Sequence, residues 1–298
     1  MKTNFTVVGI GECLWDCFKD GRRLGGSPMN YSYYAGKLLG MDNAFVVSVV
    51  GKDALGEEAL VSLNQIGLQR IIPHTDFPTG RVMVTVENGI PSYNIVEDVA
   101  YDHIPWSDGL EDLAHRTDLV CFGSLAQRNA ISRTTIARFL DMVPTQCLKV
   151  YDINLRQSFY SREVVNDSLL ACNILKINDE ELFVICNLFG IHGNPEACCR
   201  TIMNRWHIDV AVLTCGGRES FVFTEECTSC METPQVKVVD TVGAGDSFGA
   251  AFCSGLLCGM PVSECHRLAV ELSAYVCTQP GAIAAVPAEL ISSFHNRL

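Results

Sequence analysis

Short, unbroken apolar runs alternate with amphipathic ones along this chain, and few folds accept that order. Strand-like runs fall at 6–10, 44–50, 119–121, 148–151, 174–177 and 210–213. Helical periodicity falls between them at 28–39, 55–65, 133–142, 163–170 and 179–189, then at 247–258, 262–277 and 288–295. A strand that is apolar at every position is buried on both faces, and this predicts a parallel sheet with helices on either side. Pro287 suits the first turn of the last helix. Two regions break the alternation. Residues 14–24 hold Trp15, Phe18 and a turn at Asp20-Gly21. Residues 80–95 alternate through Val82, Val84 and Val86, turn at Asn88-Gly89 and return through Tyr93 and Ile95. The pattern fits either a small β-lid built from 14–24 and 80–97 or two ordinary surface hairpins. With no linker, repeat or low-complexity tract, the expectation is a single α/β domain over 1–298 with a β appendage.

A chain of 298 residues, 48% hydrophobic and 19% charged, has room for an enzyme core. Its net charge of −12 argues against nucleic-acid binding and means that any anionic ligand must be captured by local groups. No run of about 18 apolar residues calls for a membrane span. The N-terminus lacks a signal-peptide pattern, so the expected compartment is the cytoplasm. Fifteen scattered cysteines then read as small buried apolar residues. Cys227 and Cys230 have metal-like spacing, but no nearby pair completes a zinc site.

The chemistry concentrates in residues 240–249, Asp-Thr-Val-Gly-Ala-Gly-Asp-Ser-Phe-Gly. Gly243, Ala244 and Gly245 lead into a helix, whose first N–H groups and positive dipole end attract phosphate. A carboxylate at an anion site repels its ligand, so Asp246 makes sense as a base that takes a proton from an attacking hydroxyl. That chemistry is phosphoryl transfer to an alcohol. The bland reading is a turn and a helix cap. Gly25-Gly26-Ser27-Pro28-Met29-Asn30 offers exposed backbone and an amide for a hydroxyl-rich ligand, and Asp16 is a candidate acceptor of sugar hydroxyls. Asp152, Asn154 and Arg156 follow a strand, where ligands of open α/β sheets lie. Arg156 suits phosphate oxygens; the plain alternative is a structural Asp–Arg pair. Asn178 and Glu181, three apart at a helix start, fit either a Mg²⁺ hydration shell or helix capping. Thr214 and Gly216 follow another strand and could line a nucleotide. Gly36-Lys37 and Gly51-Lys52 lack the rest of a Walker loop, and Leu14 stands where a dinucleotide fingerprint needs its third glycine.

These motifs, in this order, resemble the PfkB family of carbohydrate kinases, the ribokinase-like group. The 240–248 stretch matches the family's C-terminal signature, and Gly25-Gly26 with Asn30 matches its N-terminal one. The resemblance implies a ribokinase-like fold: a mainly parallel sheet flanked by helices, with a β-lid over the sugar that often serves in dimerisation. It implies Asp246 as base, Gly243, Ala244 and Gly245 as the anion hole, and sugar contacts from Asp16, Gly26 and Asn30. It places Asn178 and Glu181 near ATP–Mg²⁺, Thr214 and Gly216 in the nucleotide loop, and Asp240 and Val242, with the Gly281 region, where many members bind a monovalent cation such as potassium. Glu219 departs from a glycine common in that loop, and Val242 from a common threonine. Gly11-Glu12 with Asp16, the Asp152-x-Asn154-x-Arg156 pattern and the 91–102 segment look most like fructokinases. The expected activity is ATP-dependent phosphorylation of D-fructose. Ribose, 2-keto-3-deoxygluconate and nucleoside acceptors are the alternatives within the family, and a non-catalytic sugar-binding regulator is the alternative outside it.

Overall fold

Nine strands form the main sheet of the computed structural model, which describes residues 4–19, 21–87 and 90–297. The expected turn residues Asp20, Asn88 and Gly89 lie outside the described residues. The sheet runs β15 (Thr228–Glu232), β14 (Glu219–Thr224), β13 (Val210–Thr214), β12 (Ile174–Asn178), β11 (Leu148–Asp152), β10 (Leu119–Phe122), β1 (Val7–Ile10), β4 (Ala44–Val47) and β6 (Gln69–Ile71). Every pair from β13 to β6 is parallel, and β14 and β15 are antiparallel additions. The expected strand at 44–50 divides. Its end, β5 (Val50–Gly51), leaves the main sheet to pair with β7 (His74–Thr75).

Alternate side chains of each central strand enter two cores. On β10, Val120 and Phe122 face one core, and Leu119 and Cys121 face the other. The first is closed by α3 (Asp108–His115), α4 (Ala130–Met142), α5 (Arg162–Ala171), α6 (Asp179–Phe189) and α7 (Pro195–Trp206). The second is closed by α1 (Ser27–Leu39), α2 (Ala54–Ile66), α8 (Ala244–Leu257), α9 (Val262–Cys277) and α10 (Ala288–Asn296). Phe122, Phe139 and Phe252 are fully buried, each contributing about 1.5–3 kcal/mol of apolar transfer. Helices α3 and α7 and the β14–β15 hairpin are elements beyond those expected from the apolar pattern. The signal for α7 was present: Asn194 caps it, Pro195 opens it, and Cys198, Ile202 and Trp206 line its buried face.

How the helices begin decides where ligands can dock. Asp53, Ser107, Asn129, Ser161, Asn178 and Asn194 each accept a backbone N–H from the first turn of their own helix. By contrast, α1 and α8 are capped by Gly26 and Gly243, with no side-chain cap bond. Those two helix starts meet at the carboxyl ends of the parallel strands.

The two aberrant regions form one small sheet, ordered β3 (Gly21–Gly25), β2 (Leu14–Phe18), β8 (Gly80–Glu87) and β9 (Ile90–Ile95). Residues alternate across it. Trp15 and Arg22 lie on the face held to α2, where Trp15 donates its indole N–H to Leu55 O at 3.0 Å and Arg22 pairs with Glu58. Asp16 and Arg23, register partners, share the opposite face.

His266 of α9 ties the antiparallel hairpin to the helical layer. It is fully buried, with Nε2 2.8 Å from Ser220 Oγ and Nδ1 2.8 Å from Ser229 Oγ. Burial depresses its pKa from 6.5 to about 4. The unfolded chain therefore binds the extra proton first. The stability from neutral His266 is complete above pH 6.5 and is lost as pH falls toward 4, by about 3 kcal/mol in all. Urea midpoints across this range are expected to fall for the wild type. A His266→Gln variant, though weaker at neutral pH, is expected to show a shallower acid decline, and an equally steep one would exclude His266 as its source.

Candidate active site

Asp246 stands in the first turn of α8, which begins at Ala244, three residues earlier than the periodicity suggested. Gly243 has φ 81° and ψ −7°, the third-position geometry of a type II turn, and a side chain there would strike the backbone of Ala282 at 2.5 Å. The Ala244 N–H closes this turn with a long 3.3 Å bond to Thr241 O. Among the described residues, no protein acceptor takes the N–H groups of Gly243, Gly245 or Asp246. Of the expected set Gly243, Ala244 and Gly245, only the Ala244 N–H has a protein acceptor, and the Asp246 N–H is open beside them.

Both oxygens of Asp246 are held from α1. Ser27 Oγ donates to Oδ1 at 2.6 Å, and Asn30 Nδ2 donates to Oδ2 at 2.8 Å. Asn30 is buried with its own Oδ1 unpartnered. Asp246 is partly buried. Desolvation, then the nearby Asp152 carboxylate, push its pKa up against the Ser27 and Asn30 bonds and the Lys176 charge. A raised pKa makes a better proton acceptor.

Lys176, in the middle of β12, carries no motif of its own in the sequence. Its ammonium donates to Asp152 Oδ1 at 2.9 Å, and both residues are buried. Burial pulls its pKa down, but the Asp152, Glu181 and Asp246 carboxylates outweigh this, so the group is held charged. A side chain at Gly245 would meet Lys176 Nζ at 3.1 Å, which places a positive charge at the start of α8. Asp152 therefore pairs with Lys176 and not with Arg156. Arg156 is exposed and bonds only the adjacent Leu155 carbonyl among the described residues. Its charge stabilises ionised Glu12 and Asp16.

Asp16 and Glu12 lie within reach of the same Arg156 charge. Burial raises the Asp16 pKa, while Arg156 and Arg23 oppose the shift. Gly26, at φ 129°, lets α1 start against Glu12, whose carbonyl would lie 2.2 Å from a side chain at that position. Glu12 accepts the Ser27 N–H at 3.2 Å and leaves Oε2 buried without a partner. Desolvation lifts its pKa to about 7. Ser27 thus joins Glu12 to Asp246, a role that its neutral side chain gave no reason to expect.

Asn178 and Thr214 end neighbouring strands of the sheet, β12 and β13, as register partners. Asn178 and Glu181 form a capping box: Asn178 Oδ1 accepts the Glu181 N–H at 2.8 Å, and Glu181 Oε2 accepts the Asn178 N–H at 3.0 Å. Glu181 Oε1 accepts the Leu155 N–H at 3.0 Å. Both groups are engaged by backbone, as in the capping alternative. Gly216 turns at φ 60°, and Glu219 opens β14 in ordinary strand geometry, so this chain's loop needs no second glycine there. Asp240 accepts from Arg23, Val242 and Gly281, and the Val242 side chain is exposed. Cys227 lies beside Thr224 and Cys230 beside Glu219.

A family model for pfkB family carbohydrate kinases matches residues 6–289. The chain belongs to that family. As a pfkB kinase it is a phosphotransferase with an alcohol group as acceptor. It is 29% identical over 301 residues to an ATP-dependent 6-phosphofructokinase of Thermoanaerobacterium thermosaccharolyticum, covering 95% of this chain and 91% of that one. It is 26% identical over 308 residues to probable fructokinase-4 of Arabidopsis thaliana, covering 97% and 92%. Its fold matches an ATP-bound fructokinase from Xylella fastidiosa with a TM-score of 0.82 over 99% of both chains, at 18% identity. The pfkB kinase has no helix, among its described residues, long and apolar enough to cross a membrane.

Proposed function

We propose that this kinase transfers the γ-phosphoryl group of ATP to a hydroxyl of a hexose, with D-fructose as the acceptor. One observation carries the reading: a carboxylate held by two donors stands in the first turn of a helix whose N–H groups are open, beside a buried ammonium. Asp246 takes the proton as the sugar oxygen bonds to phosphorus and the bond from phosphorus to the ADP oxygen breaks. The open amides of Gly243, Gly245 and Asp246, with Lys176, face the charge that spreads over the moving phosphoryl oxygens. Unpartnered Asn30 Oδ1 and Glu12 Oε2, with Asp16, supply acceptors for several sugar hydroxyls.

Among the described residues no three His, Cys, Asp or Glu side chains converge to hold a metal. A Mg²⁺ ion would therefore be carried mainly by phosphate oxygens and water, where it neutralises phosphate charge. The lid, its outer face already fixed to α2, would exclude water from the sugar.

One observation favours a second acceptor, fructose 6-phosphate. Among the described residues Arg156 has no acidic hydrogen-bond partner, and one of the relatives above is a 6-phosphofructokinase. ADP release from ATP with a panel of fructose, fructose 6-phosphate, ribose, 2-keto-3-deoxygluconate and a nucleoside separates these readings. Fructose is expected to give the highest kcat/KM. Turnover of another acceptor alone would overturn the substrate and keep the kinase. Sugar binding without any ADP release would overturn both.

A further inference from the structure

The segment expected to hold a monovalent cation already contains a positive charge. Asp240 Oδ2 accepts from Arg23 Nη1 at 3.1 Å and from the Gly281 N–H at 2.9 Å, and Oδ1 accepts from the Val242 N–H at 3.1 Å. An alkali ion is held by oxygens that replace its hydration shell, largely carbonyls. Around Gly281 three of the carbonyls already have other donors. Tyr34 OH donates to Ala282 O at 2.8 Å, Tyr33 OH to Ala284 O at 3.1 Å, and Tyr275 OH to Ala285 O at 3.0 Å. Cys277 O takes the N–H groups of Val239 and Asp240. A potassium ion at Asp240 would have to displace donors and also approach a guanidinium. The residues present do not fit the ion.

We infer that Arg23 is the resident cation of this loop, and that the kinase orders residues 240–243 without potassium. Arg23 lies on β3, on the lid face that carries Asp16, with its guanidinium 5.2 Å from the Phe18 ring centre. Its charge neutralises Asp240, whose side chain is only 19% exposed. Asp240 in turn holds the 240–242 segment to Gly281, one residue before the turn at Gly243. Arg23 therefore reaches from the lid to the loop that sets the anion-binding helix. It is a positioning residue: it touches neither the sugar hydroxyl nor phosphate, and acts through Asp240. The three tyrosine hydroxyls fix the opposite wall, so the loop is clamped from both sides by covalently attached donors.

The role in turnover rests on the kinase reading above, but cation binding can be measured without it. Wild type and the Arg23→Gln and Arg23→Lys variants are compared in potassium, sodium and tetramethylammonium chloride at equal ionic strength. The readouts are Tm of the ligand-free protein and, separately, sugar-dependent ADP release. The wild type is expected to show the same Tm and the same rate, within about twofold, in all three salts. Removing the guanidinium opens Asp240 to an ion. Arg23→Gln is expected to lose about fivefold in rate in tetramethylammonium, the scale of one exposed ion pair, and to regain both rate and Tm in potassium. Arg23→Lys is expected to behave as wild type. Potassium-specific stabilisation or activation of the wild type would overturn the inference. So would an Arg23→Gln variant unchanged in tetramethylammonium, or one slow in every salt, since that variant would have lost packing and not a charge. The Tm comparison decides the matter even if none of the sugars is phosphorylated.

Discussion

An Asp246→Asn variant is expected to lose at least about a hundredfold in kcat, the usual scale for a general base, while still binding sugar. The substitution keeps the shape of the site. Ser27 Oγ can still donate to an amide oxygen. The new amide nitrogen would face Asn30 Nδ2, but Asn30 has an unpartnered Oδ1, and a half-turn of its side chain restores a hydrogen bond. What disappears is the proton acceptor. The measurement pairs kcat from ADP release with the sugar Kd from calorimetry. A kcat near wild type would remove Asp246 as base, and a lost Kd with intact kcat would make it only a binding residue. The wild-type pH profile checks the same point. Burial and Asp152 hold the Asp246 pKa above its ordinary 3.8, so kcat/KM is expected to fall as pH drops through that raised value and protonates the base.

The second large effect belongs to Lys176. Lys176→Met leaves Asp152, 3% exposed, as a buried carboxylate without its cation. Breaking one side of such a pair costs about 3–5 kcal/mol, a fall in Tm of about 10 °C. Adding Asp152→Leu removes the stranded charge and is expected to recover most of the Tm. The double variant is still expected to turn over slowly, because the ammonium beside Gly245 is gone. A single variant with unchanged Tm would mean that the pair does not hold the fold. A double variant with full activity would mean that Lys176 serves only to neutralise Asp152.

Local signals in the sequence carried much of this site. Gly26 and Gly243 were readable because only glycine allows those close approaches, and Asp246 because a carboxylate in an anion turn demands a chemical reason. The parallel sheet was legible in strands apolar at every position. The misreadings have one source. Spacing alone offers Asp152 a partner in Arg156, four residues away, whereas its partner is Lys176 across the β11–β12 pair. Asn178 and Glu181 look the same on paper whether or not they cap a helix, and the capping box forms only in the folded chain. Ser27 and Glu12 carried no motif of their own.

The sequence by itself determined the fold class and most helix ends, since each follows from residues within a few positions of one another. Only the tertiary structure decided how the charges are paired and which acids are raised in pKa. Asp246 meets Ser27 from 219 residues away, and Asp240 meets Arg23 from 217. The energy of a charge depends on what is within a few ångströms and on how much water is left around it, and neither is written in sequence order.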